Sequence, residues 1–181
     1  VIATGSDNSA RYFEHYFGKY PHIIRKNRTS VAVISGNETN EELSQLGNDI
    51  FEYYGLGCRN VSQLYVPKDY EFNSFFEAIE SFNPIANHHN YRNNYDYNKS
   101  IYLINGVKHL DNGFLLLTEN DQLVSPISVL FFESYDSIEH LKELLEKDKD
   151  KIQCRVGNDW SGIETISFGE AQRPDVWQYA D

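Results

Sequence analysis

The chain reads as an α/β protein: a three-layer αβα unit around a largely parallel sheet. Three observations predict this. Apolar strand patterns alternate with helical ones along most of the 181 residues, as in folds whose parallel strands are joined by helical crossovers. The segment Ser30-Val31-Ala32-Val33-Ile34-Ser35 is apolar on both faces, the mark of a strand covered on both sides. Thr39-Asn40-Glu41-Glu42 is a capping box, in which hydroxyl and carboxylate satisfy each other's backbone donors at a helix start.

Val1 to Ala3 reads as a short buried strand, turned by Thr4-Gly5-Ser6-Asp7-Asn8 into a helix from about Ser9 to Phe17. Such a turn offers backbone N–H groups and the positive end of a helix dipole to an anion, although any strand-to-helix turn uses the same residue types. Gly18 to Arg28 reads as an irregular connector, basic through Lys19, Arg25, Lys26 and Arg28, open to a phosphate-bearing cofactor or simply solvated. After the capping box, Leu43, Leu46, Ile50 and Tyr53 or Tyr54 recur at helical spacing until Gly55, placed to end the helix. Val61 to Val66 is a strand stopped by Pro67, and Phe72 to Phe82 a helix with Phe75, Phe76, Ile79 and Phe82 as its stripe. Asn83 to Lys99, rich in Asn, Tyr and His, reads as a long loop. Ser100–Ile104, Phe114–Thr118 and Ile127–Phe132 read as strands, with Asp111-Asn112-Gly113 as a turn. A charged helix follows Ser137 to about Glu146, and Lys151 to Val156 alternates as a last strand.

A net charge of −11 disfavours nucleic acid and anionic membrane surfaces as partners. No apolar run approaches the roughly 20 residues of a membrane span. Two cysteines make no disulfide framework and point to a reducing, cytoplasmic compartment. The absence of methionine, the opening inside a strand and the end at Tyr179-Ala180-Asp181 point to a piece of a longer protein.

Cys58 is the main site candidate. It lies in Gly55-Leu56-Gly57-Cys58-Arg59-Asn60, outside the apolar period of any element. There the backbone can approach a ligand and the sulfur can stay accessible. The adjacent arginine favours thiolate, the nucleophilic form, and such a cysteine can work through a thioester or thiohemiacetal. The competing reading is a buried loop cysteine acting as a small hydrophobe. Cys154 alternates with Ile152 and Val156 and is expected in the core, reduced and far from Cys58. The adjacent His88 and His89 lack a third ligand at a usable spacing, so no metal site is expected. No Gly-x-Ser-x-Gly elbow is present, and sequence alone puts none of His15, His22, His109 and His140 beside Cys58.

The order of Thr4-Gly5-Ser6, strand Val31–Ile34, helix 40–54, Gly55-Leu56-Gly57-Cys58 and strand Val61–Val66 resembles the aldehyde dehydrogenase superfamily. Its Thr-Gly-Ser turn lies on the cofactor pyrophosphate and its Gly-Gln-x-Cys loop carries the nucleophile. Asp121-Gln122-Leu123-Val124-Ser125-Pro126-Ile127 is similar to that family's Glu-Glu-Ile-Phe-Gly-Pro-Val segment. Phe17 to Arg28, Gly55 to Asn60 and Asn94 to Ser100 resemble, more closely, acyl-CoA reductases related to the fatty-acid reductase of bacterial bioluminescence.

The resemblance implies that residues 1–29 are the tail of a nucleotide-binding domain and 30–181 a catalytic domain of aldehyde dehydrogenase type. It implies an NADPH-dependent reduction of a long-chain acyl thioester to an aldehyde, with Cys58 as nucleophile and its backbone N–H on the oxyanion. Gly5 and Ser6 would line the diphosphate, and Gln122 would stand where the family's ribose-binding glutamate does. Leu56 departs from the loop glutamine, and no counterpart of the hydrolytic general-base glutamate is found, Glu38 being merely nearby. A missing base suits an acyl-enzyme that must be reduced and not hydrolysed. The implied partners are an acyl-CoA or acyl-protein thioester, with a second copy of the chain or an acyl-transferring protein, and no metal. The alternatives are an aldehyde dehydrogenase working toward the acid, a cofactor-free cysteine acyltransferase or thioesterase, and a noncatalytic binding module. The piece alone is expected to be inactive.

Overall fold

A computed structural model describes residues 1–158 and 162–177; the last residues of the 30–181 unit lie outside the described residues. Six strands form one sheet in the order β5-β6-β7-β4-β3-β8, where β3 is Thr29–Val33, β4 Val61–Pro67, β5 Leu110–Asp111, β6 Leu116–Glu119, β7 Val129–Tyr135 and β8 Ile152–Val156. All neighbours are parallel except the short edge strand β5, which is antiparallel to β6. The side chains of β3 divide between two layers, as alternation along a strand requires. Ala32 joins a cluster with Leu43, Leu46 and Ile50 of helix α2 (Asn40–Phe51) and with Phe75 and Ala78 of helix α3 (Asn73–Ala78). Val31 and Val33 face the other way, onto Leu141 and Leu145 of helix α5 (Ile138–Lys147). This is the expected three-layer αβα arrangement.

The capping box forms as read: Glu42 N donates to Thr39 Oγ1 at 3.2 Å and Thr39 N donates to Glu42 Oε2 at 2.7 Å. The bond from Thr39 N, with those from Thr39 Oγ1 and Asn158, holds the Glu42 carboxyl below the usual carboxylate range. Helix α2 stops at Phe51, before the expected 54, and a 3-10 turn runs over Glu52–Gly55. Tyr53 and Tyr54 there take φ of 52° and 61°, left-handed values that are costly for residues with a Cβ.

Residues 1–29 differ from the reading in two respects. The first strand, β1 (Ile2–Thr4), is largely exposed and not buried, because it pairs only with β2 in a separate two-stranded parallel sheet. The supposedly irregular basic stretch supplies that partner, β2 (Ile23–Arg25). Between them runs helix α1 (Asp7–Phe17), with Ser6 Oγ accepting from Ser9 N at 3.2 Å as its cap.

The largest departure is Asn83 to Ile104. A 3-10 segment, Glu80–Asn87, follows α3, so the helix read over 72–82 is broken. A single helix, α4 (His89–Asn105), replaces the expected loop and the expected strand at Ser100–Ile104. Its inward stripe is Tyr91, Tyr95 and Asn98, each with its polar end on the sheet edge or an adjoining turn. Tyr91 donates to the Phe114 carbonyl at 3.0 Å, Tyr95 to Asp111 Oδ1 at 2.7 Å and Asn98 to the Ile127 carbonyl at 3.0 Å. Lys99 closes this group on Asp111 at 2.6 Å. Leu103 and Ile104, which made the segment look like a strand, point to solvent. Among the described residues no helix is long and apolar enough to cross a membrane.

Candidate active site

Cys58 is exposed on a loop between the end of α2 and the start of β4, and Asn60 builds that loop. Asn60 is 2% exposed. Its Oδ1 accepts from Gly57 N at 2.8 Å, while its own N donates to the Gly57 carbonyl at 3.0 Å. Its Nδ2 donates to the carbonyls of Asp49 (3.0 Å), Ile50 (3.3 Å) and Glu52 (2.8 Å). One side chain thus satisfies the orphan carbonyls at the helix end and closes the turn that carries the cysteine. Gly57 is needed for close approach: a Cβ there would sit 2.9 Å from Asn60 Oδ1.

Below the loop, Ser30 Oγ donates to the Cys58 carbonyl at 3.1 Å and lies 2.9 Å from Cys154 Sγ. Its single proton is committed to the carbonyl, so the Cys154 thiol donates to Ser30. Cys154 is half-buried and reduced, and it is separated from the Cys58 loop by one serine. The expectation that it lies far from Cys58 is corrected: β8 and β3 are sheet neighbours. Burial pushes the Cys154 thiol above its ordinary pKa and keeps it protonated.

Cys58 opens onto a cleft of about 650 Å³ whose lining includes Gly5, Ser6, Arg25, Lys26, Arg28 and Gln172. The first 29 residues and the larger sheet thus share this cavity. Gly5 could not carry a side chain, since its Cβ would meet Ser9 Cβ at 2.8 Å. Among the described residues four cationic side chains line the cleft, Arg59 being the fourth, and no carboxylate does. Arg59 is buried and its Nη1 donates to the Ala171 carbonyl at 3.0 Å. Gln122 is exposed, its N donating to Asn120 Oδ1 at 2.9 Å, and it is not among the lining residues. Glu38 is spent locally, accepting from Ser35 N at 2.6 Å, Ser35 Oγ at 2.7 Å and Gly36 N at 3.0 Å.

None of the histidines lines the cleft. His22 Nε2 is 3.6 Å from Glu14, His109 Nδ1 lies 2.8 Å from the Val107 carbonyl, and His140 Nδ1 is 3.1 Å from Asp136. His88 caps α4 through Tyr91 N. Among the described residues no group of three His, Cys, Asp or Glu could hold a metal ion.

Sequence reasoning missed the segment that closes the site. Residues 166–171 return over the α2 side of the sheet, with Phe168 and Ala171 in the core. Asp49, buried in α2, accepts from Gly169 N at 2.6 Å and Ala171 N at 2.9 Å. Desolvation raises its pKa to about 6 against the opposing pull of those two bonds. An acidic residue inside an apolar helical stripe was the available signal for Asp49, and an Asn just before a strand the signal for Asn60.

No protein-family model matches the chain, and no curated protein matches it. Solved structures do. An indole-3-acetaldehyde dehydrogenase complexed with NAD+ superimposes with a TM-score of 0.62 at 15% identity, over 90% of this chain and 40% of that one. A methylmalonate-semialdehyde dehydrogenase from Oceanimonas doudoroffii gives 0.61 at 14% identity, over 90% and 41%. An NAD-dependent aldehyde dehydrogenase from Sinorhizobium meliloti gives 0.61 at 9%, over 90% and 39%. The chain spans about two fifths of the length of these enzymes, and over that span it has the aldehyde dehydrogenase fold.

Proposed function

We propose that the protein to which this chain belongs reduces a long-chain acyl thioester, acyl-CoA or acyl-protein, to a fatty aldehyde through an acyl group carried on Cys58. The observation that carries the reading is an exposed cysteine on a cleft that, among the described residues, is lined by cations and by no carboxylate. Aldehyde oxidation to the acid needs a base to activate water against the acyl-enzyme; an enzyme that must keep its thioester from water is better without one.

The cleft fits a phosphate-bearing dinucleotide. Gly5, held bare by Ser9, Ser6 at the N-terminus of α1, and the basic run Arg25–Arg28 make a donor set for a polyanion. NADPH, when bound, supplies hydride. Residues 1–29 are proposed as part of the nucleotide-binding region and 30–181 as the catalytic unit.

Cys58 supplies the covalent step. Its thiolate attacks the thioester carbonyl, the bond to the carrier sulfur breaks, and the carrier leaves as a thiol. The acyl group is then held in the cleft until reduced to a thiohemiacetal, whose collapse frees the aldehyde and restores Cys58. The Asn60 turn and the Ser30 bond to the Cys58 carbonyl fix the position of that sulfur.

The full-length protein, given NADPH and a long-chain acyl-CoA, is expected to consume nicotinamide absorbance and release aldehyde, and Cys58→Ser to abolish both. Turnover of acyl-CoA with no nicotinamide dependence would assign the chain to the acyltransferases or thioesterases. Net oxidation of aldehyde to acid, with no reduction of acyl-CoA, would assign it to the oxidative dehydrogenases.

A further inference from the structure

The sheet ladder slips on both sides of Ser30, under the loop that carries Cys58. Ser30 stands opposite Val61 of β4, but its neighbour Val31 stands opposite Gln63, so Ser62 is an extra residue on that side. On the other side Thr29 faces Ile152 of β8 and Val31 faces Arg155, so Gln153 and Cys154 together oppose Ser30. Bulges are rare between parallel strands, and they re-aim side chains. In β8 the two opposed residues part company: Gln153 lines the cleft that holds Cys58, whereas Cys154 Sγ lies 2.9 Å from Ser30 Oγ.

Ser30 in turn grips the Cys58 loop. Its N donates to the Asn60 carbonyl at 3.3 Å and its Oγ to the Cys58 carbonyl at 3.1 Å. All of β3 is buried and its other inward positions are Val31, Ala32 and Val33, so an aliphatic residue would serve packing without the cost of burying a hydroxyl. The single Ser30 proton has two nearby atoms to go to, a carbonyl oxygen and a sulfur. Sulfur is the weaker acceptor, and burial keeps Cys154 as the thiol. A thiol that donates to Ser30 Oγ leaves the serine proton directed at the Cys58 carbonyl. The chain of donors runs from Cys154 through Ser30 to the nucleophile's own peptide group.

We infer that Cys154 is a positioning residue for the Cys58 reaction: its thiol commits the Ser30 hydroxyl to the Cys58 carbonyl and so fixes the backbone that carries the nucleophile. The inference rests on the acyl-thioester reading above for the reaction it serves. Cys154 makes no bond to the acyl group and exchanges no proton with it. Without the thiol the Ser30 hydroxyl is free to turn, and the loop holds the sulfur less closely. Small displacements of a reacting atom are expensive, about 10²-fold in rate for an ångström.

The test is a double-mutant cycle in the full-length protein. Acylation of Cys58 by a labelled long-chain acyl-CoA is followed by rapid quench and peptide mapping. Ser30→Ala is expected to slow it by about 3–10-fold, the worth of one net hydrogen bond, and Cys154→Ala by about 2–5-fold, the thiol being a weaker donor. Cys154→Ser, which keeps a donor, should react at close to the wild-type rate. In the Ser30→Ala background Cys154→Ala should slow acylation no further, because its effect passes through Ser30. Alkylation of Cys58 by iodoacetamide, which meets the exposed sulfur from solvent and needs no docked geometry, should keep its wild-type rate in every variant. Acylation at the wild-type rate in Cys154→Ala overturns the proposal, as does a Cys154→Ser variant as slow as Cys154→Ala. Independent, multiplying effects in the double variant overturn it too, and so does equal slowing of alkylation, which marks a general loosening of the fold. Absence of acylation in wild type overturns the thioester reading itself, and this inference with it.

Discussion

Replacing Asn60 with alanine tests how the site is held together. The change removes one acceptor, for Gly57 N–H, and a donor group serving three helix-end carbonyls. A net hydrogen bond is worth about 0.5–1.5 kcal/mol, and two N–H groups are shared by three carbonyls, so the set amounts to about 2–4 kcal/mol. With a urea slope of about 2 kcal/mol/M, the unfolding midpoint falls by about 1–2 M. The cysteine suffers as well. Without the turn its sulfur is free to shift by an ångström, a displacement that can cost about 10²-fold in rate. Asn60→Asp is expected to destabilise no less, because it keeps the acceptor but points an anion at the three carbonyls. Urea unfolding by circular dichroism and acylation of Cys58 in the full-length protein check both claims. A midpoint within about 0.2 M of wild type, with acylation unchanged, would refute the assignment of Asn60 as the residue that builds the loop.

Two other perturbations probe the same neighbourhood. Asp49 ionises near 3.8 when unfolded and about 6 when folded, so the folded chain binds the extra proton between those values. Its contribution to stability therefore falls as pH rises from about 4 to 6, by about 3 kcal/mol. The difference in unfolding free energy between wild type and Asp49→Asn, followed across that range, should show this downward step, and a flat difference would contradict the assignment. Gly57→Ala forces a Cβ to 2.9 Å from Asn60 Oδ1 and is expected to cost about 1–3 kcal/mol while slowing acylation; a variant as stable and as reactive as wild type would show that the approach is not tight.

What the sequence disclosed was whatever its local chemistry decides alone. The capping box at Thr39 and Glu42, the both-faced strand around Val31 to Ile34 and the glycine-flanked Cys58 all stand where their residue types place them. Helix α4 was hidden because its buried stripe is tyrosine and asparagine, not aliphatic. The spacing 91, 95, 98 is helical, but each member reaches a polar partner that only the folded sheet supplies. The placing of Cys154 one serine away from the Cys58 loop was equally out of reach, since it follows from β3 lying between β4 and β8. The closing segment around Gln172 depends on Asp49 and Arg59, more than 100 residues earlier, and no local pattern announces such a clamp.

The central claim is that Cys58 forms the covalent bond to the acyl group. Intact-protein mass spectrometry of the full-length protein, mixed with a long-chain acyl-CoA and no nicotinamide, tests it most directly. The account predicts one added acyl mass, mapped to the peptide carrying Cys58, retained in Cys154→Ser and absent in Cys58→Ser. An acyl adduct on any other residue, or an unchanged adduct in Cys58→Ser, would contradict it.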